Sequence, residues 1–242
     1  MTDKIDIGAA VFLTAEWRHL AILNYQVEPA LLNPLVPAGT ELDLWEGRAW
    51  ASVVGFRFLK TRVFGLPVPF HNDFEEVNLR FYVRRVEGGE LRRGVVFIQE
   101  LVPRWAVAQV ARMFYNERYR ALPMRHRLLP PDGESGIEYE WRDGIWNRLR
   151  LQGHGAWSVP EPASFAAFIV EHYWGYSAQR DGSTLEYRVS HPRWKVRQAT
   201  GSLAGALAPE GGPGWPGLLH AGPSSALLAE GSPVAVSRGR RL

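Results

Sequence analysis

Four polar side chains recur at every second position of the stretch DFEEVNLRFYV: Glu76, Asn78, Arg80 and Tyr82. A guanidinium pairs with a carboxylate or carbonyl oxygen, a carboxylate takes or gives a proton, and an amide can orient both. Confined together, these groups and a phenol are the equipment for holding a small polar ligand. The spacing is that of a strand, whose successive side chains point to opposite faces, so Val77, Leu79, Phe81 and Val83 share the other face. Two readings follow. The polar row is either the solvent face of an antiparallel sheet, which ordinarily carries mixed charge, or the inside of a barrel. Glu100, at the end of the run expected to pair with this strand, would bring a second carboxylate to the same place.

Other chemistries are excluded or unsupported. The 242 residues contain no cysteine, which rules out disulfides, thiolate metal sites and a cysteine nucleophile. There is no glycine-rich phosphate loop, no HExxH and no Gly-x-Ser-x-Gly elbow. The seven histidines are dispersed, with no pair at metal-ligand spacing, so no metal and no cofactor is expected. The net charge of +3 comes from 25 arginines and only 3 lysines set against 25 acidic residues. The local clusters Arg84-Arg85, Arg92-Arg93 and Arg125-His126-Arg127 read as solvated hairpin ends, so no nucleic-acid partner is expected. The tryptophans at 45, 50, 105, 141, 146, 157 and 174 fall in strand or helix patterns and read as core. No apolar run approaches the roughly 20 residues of a membrane helix, so a cytoplasmic protein with no membrane partner is expected.

The elements that would carry the polar row are mostly short strands. Trp17 to Gln26 reads as a strand and Glu28 to Leu35 as a brief helix closed by prolines. Leu42 to Trp45 and Arg48 to Phe58 suggest a hairpin around Glu46-Gly47, the second run apolar on both faces. Lys60-Thr61-Arg62 ends it, and Gly65 to Pro69 reads as a loop. The polar strand then pairs with Leu91 to Val102. Val107, Val110, Ala111 and Phe114 predict a helix over 104–115, and Ala163 to Glu171 a second. Glu138 to Trp141 and Trp146 to Gln152 form a hairpin, as do Tyr173 to Ala178 and Thr184 to Ser190. Residues 201–217 read as a flexible Gly/Pro/Ala-rich loop, before a last strand at Ser232 to Ser237 and a basic tail. The chain therefore reads as one domain over 1–242, mainly β with a few helices, a barrel or a sandwich.

Several stretches, in order, resemble the bacterial family catalogued as domain of unknown function 2071, also called YqjF-like. They are Trp17-Arg18, Pro37 to Asp43 with Gly47 to Trp50, Phe74 to Val83, Ala111-Arg112, Tyr119 with Leu122 to Met124, His191 to Trp194, and Ala229 to Val236. That resemblance implies the fold of acetoacetate decarboxylase, a closed antiparallel cone-like β-barrel with a few peripheral helices and a central cavity. A fold does not fix an activity. The decarboxylases use a Schiff-base lysine in a Gly-aromatic-Pro-Lys-Lys motif, and the nearest match here is Ala121 to Arg125, which sets Met124 at the nucleophile's position. A thioether cannot form an imine. The three lysines, Lys4, Lys60 and Lys195, each read as surface charges, whereas Glu76 matches the family's carboxylate position after an aromatic.

The resemblance thus favours the inward reading of the polar row: a small organic acid or carbonyl ligand held without Schiff-base chemistry by Asn78, Arg80, Tyr82 and Glu100, with Arg112, Tyr115, Tyr119 and Met124 also expected at the site. An alternative makes Glu76 the catalytic general acid or base of a lyase, decarboxylase or isomerase. A third makes the protein a scaffold whose cavity its own side chains fill, with a homo-oligomer possible in any case.

Overall fold

In a computed structural model of the chain, the structure describes residues 11–67, 72–105, 116, 118–129, 136–205, 207 and 215–242. Fifteen strands make one sheet: β1 (Val11–Val27), β2 (Glu41–Leu42), β3 (Ala49–Val63), β4 (Leu66–Pro67), β5 (Phe74–Glu87), β6 (Glu90–Val102), β7 (Tyr119–Ala121), β8 (Met124–Leu129), β9 (Gly136–Asp143), β10 (Ile145–Ser158), β11 (Trp174–Ala178), β12 (Thr184–Ser190), β13 (Val196–Ala204), β14 (Ser225–Ser237) and β15 (Arg240–Arg241). Twelve of them run in the order β15-β12-β11-β6-β5-β3-β1-β14-β13-β10-β9-β8, with β2 paired to β5, β4 to β3 and β7 to β6 off this path. β12 also pairs with β14 through Val189–Val236 and Ser190–Ala235, which joins the two ends of the run from β12 to β14. The fold is mainly β, as its residue patterns predict.

The alternation in β5 is used on both faces. Val77, Leu79, Phe81 and Val83 are buried in a core that Tyr139 and Trp141 of β9 and Leu149 and Leu151 of β10 cover from outside. Each such side chain contributes about 1.5–3 kcal/mol by leaving water, so this face fixes the register of β5. The opposite face belongs to a second cluster, with Trp50, Val54, Phe56 and Phe58 of β3 and Leu20 and Ile22 of β1. β3 is therefore apolar on both sides because both are covered, as expected from RAWASVVGFRF.

Some expectations fail for identifiable reasons. β2 pairs with β5 and not with β3, so the turn at Trp45–Arg48 closes an isolated bridge and not a hairpin. β3 continues past Lys60, whose φ of 54° marks a bulge, and the expected loop after it contains β4 paired back onto β3. Of the segment read as a flexible loop, Gly201–Ala204 ends β13 and Trp215–His220 is a helix. Gly201 is there for close approach: a Cβ would sit 2.7 Å from Leu151 and 2.9 Å from Leu23. Trp105 and Trp146, read as core, are exposed. The helix expected over 104–115 falls almost wholly outside the described residues, whereas Phe165–Val170 is helical and capped by Ser164, whose hydroxyl accepts from the Ala167 amide.

Candidate functional site

Beneath the second cluster lies a cavity of about 190 Å³. Phe74, Glu76, Asn78 and Arg80 of β5 all line it, so the polar row faces inward. Glu76 and Asn78 are 2% and 1% exposed. The Asn78 amide donates to Glu76 Oε1 at 2.9 Å, and the Tyr119 hydroxyl donates to Glu76 Oε2 at 3.2 Å. β7 makes the second contact by lying parallel to β6, with Tyr119 beside Glu100. Burial pushes the Glu76 carboxyl up to about 7, against the opposing pull of Asn78, Tyr119 and the Arg80 charge. A carboxyl so tuned exists in both protonation states near neutral pH, which is what proton transfer needs.

Glu100 lies opposite Asn78 in the β5–β6 ladder, buried and on the cavity wall. Arg80 donates from one terminal nitrogen to the Ile169 carbonyl at 3.4 Å, at the end of the helix Phe165–Val170. Its Nε and the Asn78 side-chain oxygen are buried without a hydrogen-bond partner among the described residues. β5 thus sets one buried donor and one buried acceptor at the cavity wall, where Trp17 Nε1, Thr61 Oγ1 and both ring nitrogens of His172 also lack a partner among the described residues, and an unmade bond costs about 1–3 kcal/mol each.

Sequence reasoning missed His172 and His191, whose dispersal hid their convergence. Both line the cavity. His172 follows the helix Phe165–Val170 and stacks on Tyr82, with ring centroids 4.6 Å apart. Burial pushes it down to about 4, with Arg93 and Arg80 adding to the effect and Asp43 opposing it, so it is neutral at pH 7. Asp43 lies 3.8 Å from His172 Nε2, too long for a hydrogen bond, and accepts from Arg93 Nε at 2.6 Å. His191 stacks on Trp194 at 4.1 Å and donates or accepts at Nδ1 to or from no side chain, its contact there being the Pro192 carbonyl at 2.9 Å.

The remaining expected residues divide. Tyr82 lies behind His172, its hydroxyl 2.5 Å from Ser52 Oγ, which donates to Asn24 at 2.6 Å. Met124 is not at the cavity: at the start of β8 it pairs with Trp141 and packs on the opposite core, because β8 joins the outer strands. Arg112 and Tyr115 lie outside the described residues. Lys60 is exposed and paired with Glu16 at 2.6 Å, Lys195 is exposed, and neither lines the cavity. Lys4 is not among the described residues. No group of three or more His, Cys, Asp or Glu side chains able to hold a metal occurs among the described residues, and no described helix is long and apolar enough to cross a membrane.

The sheet ring that carries this polar row has the fold of acetoacetate decarboxylase-like enzymes. The fold matches an acetoacetate decarboxylase-like enzyme from Sphingomonas wittichii RW1 with a TM-score of 0.65 at 14% identity, over 96% of this chain and 93% of that one. It matches acetoacetate decarboxylase from Legionella pneumophila with a TM-score of 0.66 at 15% identity, over 96% and 88%. The enduracididine biosynthesis enzyme MppR complexed with pyruvate overlays with a TM-score of 0.63 at 12% identity, over 95% and 90%. Within that fold the chain belongs to the DUF2071 family of uncharacterized conserved proteins, whose pattern matches residues 14–232. It is 26% identical over 219 residues, 84% of each chain, to the uncharacterized protein YqjF of Bacillus subtilis strain 168.

Proposed function

We propose that this protein binds a small organic acid or carbonyl compound in the cavity of a closed, cone-like barrel, without a Schiff-base lysine. The observation that carries the reading is the pair of partnerless buried groups, Arg80 Nε and Asn78 Oδ1, side by side on the cavity face of β5. In this reading Arg80 pairs with a ligand carboxylate or carbonyl oxygen, and Asn78 accepts a hydrogen bond from the ligand while orienting Glu76. A neighbour of the same fold in complex with pyruvate supports the ligand class. The exposure of Lys60 and Lys195 supports the absence of an imine. The volume of about 190 Å³ that the lining side chains leave between them counts against a scaffold packed by its own side chains.

A second reading is favoured by Glu76 itself, whose elevated pKa suits a general acid or base acting on the bound compound. Both readings are tested by calorimetric titration with pyruvate and acetoacetate of the natural protein and of Arg80→Leu and Glu76→Gln. Loss of the guanidinium is expected to weaken binding roughly ten- to hundredfold. Binding retained in Glu76→Gln with loss of turnover supports catalysis, and equal affinity in Arg80→Leu overturns the assignment of the head group. Borohydride with either keto acid is expected to leave no adduct, and an adduct on Lys60 or Lys195 sinks the lysine-free reading.

A further inference from the structure

The cavity lining is segregated along the strands. Arg80, Asn78 and Glu76 occupy three successive inward positions of β5, with Glu100 and His172 beside them. Beyond Glu76 the wall turns apolar. Phe74 pairs with Phe58, and Phe58 with Trp17, so three aromatic side chains from β5, β3 and β1 stand abreast. Phe58 and Phe74 stack at 4.7 Å, and Trp17 meets Phe58 edge-on at 5.7 Å. Further in the same direction, Val63 pairs with Leu13 and Leu13 with Val236, making an aliphatic rank. The Thr61 hydroxyl, the Trp17 indole nitrogen, Tyr187 and His191, which stacks on the Trp194 that meets Trp17, are the polar interruptions of this half among the described residues.

From Asn78 outward burial runs the same way: Glu76, Asn78 and Glu100 are fully buried, whereas Leu13, Val63 and Val236 are half-buried, as is Arg80 at the opposite end. At about 3.3 Å per residue, the six steps from Arg80 to Phe74 alone extend roughly 20 Å. An apolar void of about 150 Å³ accepts benzene, so in proportion 190 Å³ accommodates roughly eight non-hydrogen atoms. Pyruvate, with its six, would fill the polar half and leave the aromatic wall facing water.

We propose that the ligand is an oxo acid with an apolar tail, its head on Arg80 and Asn78 and its tail along Phe74, Phe58 and Trp17 towards Leu13, Val63 and Val236. The assignment of the head rests on the reading under Proposed function, and the assignment of the tail rests on the apolar wall alone. Each methylene taken from water into this half strengthens binding about fourfold, and three of them about sixtyfold.

The test is calorimetric titration of the natural protein with pyruvate, 2-oxobutanoate, 2-oxohexanoate and 2-oxooctanoate, with 2-octanone as a neutral compound of matching tail. Affinity is expected to climb by about fourfold per methylene to 2-oxohexanoate, and 2-octanone to bind at least tenfold more weakly than 2-oxooctanoate. A flat or falling series with pyruvate bound overturns the tail and leaves the acid-binding reading standing. A climbing series in which 2-octanone equals 2-oxooctanoate supports the tail and overturns the head. No binding by any member overturns both.

Discussion

The Asn78 amide nitrogen lies 2.9 Å from Glu76 Oε1, yet the oxygen of the same amide meets no hydrogen-bond partner among the described residues. The amide completes the carboxyl's surroundings and not its own. Burial, against the pull of that amide, keeps the Glu76 proton to about pH 7, whereas an unfolded glutamate loses it near 4.5. Between those values the folded state binds more protons than the unfolded state, so this group makes stability fall as pH rises. The penalty is fully in place above pH 7 and is of the order of 3 kcal/mol at about 1.4 kcal/mol per unit. Glu76→Gln keeps the shape and drops the charge. Denaturant unfolding at pH 4.5, 6 and 7.5 is expected to show this variant gaining on the natural protein as pH rises. An unchanged difference would mean that Glu76 is hydrated in the folded state.

His172 works in the opposite direction. Its folded pKa of about 4 lies below its ordinary 6.5, chiefly through burial, so between those values the unfolded state binds more protons and stability falls as pH falls. In the window from 4.5 to 6.5 the two groups offset each other. His172→Phe retains a flat ring on Tyr82, 4.6 Å away in the native stack, and removes the titration. The variant is expected to resist acid better than the natural protein by roughly 3 kcal/mol at pH 4. Unfolding midpoints at pH 4 and pH 7 check it, and parallel losses in both proteins would count against a buried neutral imidazole.

The two-faced alternation of β5 was legible because that strand runs without interruption past β3, from Phe58–Phe74 to Ala51–Phe81. Elsewhere on the cavity wall the period of two breaks. An extra residue at a bulge turns the phase over, so residues three apart face the same way. Trp17 and Leu20, Phe58 and Thr61, and Phe97 and Glu100 are such pairs, all on the cavity wall. The register shifts fall between Arg18 and Ala21, between Thr14 and Glu16 opposite Lys60, and between Leu79 and Arg80 opposite Ile98. No composition signal marks these places: His19 and Lys60 adopt positive φ without being glycine. The apolar half of the wall was therefore hidden, as was the meeting of His172 and His191, which come from the ends of separate elements. The misreading of Gly201 has the same root, since a glycine needed for close packing and one needed for flexibility look alike in a sequence.

Gly231 shows what such a position is worth. It lies opposite Arg18 in the β1–β14 ladder with φ at +74°, and a Cβ there would fall on the Trp17 carbonyl oxygen. Trp17 forms part of the aromatic wall, so the glycine sets where that wall stands. Gly88, in the β5–β6 turn, has a φ of +59° with open space around it. Gly88→Ala meets only the left-handed backbone penalty, about 1–2 kcal/mol. Gly231→Ala must also push two backbones apart, and is expected to cost at least twice as much and to weaken ligand binding, which Gly88→Ala leaves intact. Thermal unfolding and titration of both variants measure this. Equal destabilisation of the two would mean that β14 shifts freely and that Gly231 does not hold Trp17 in place.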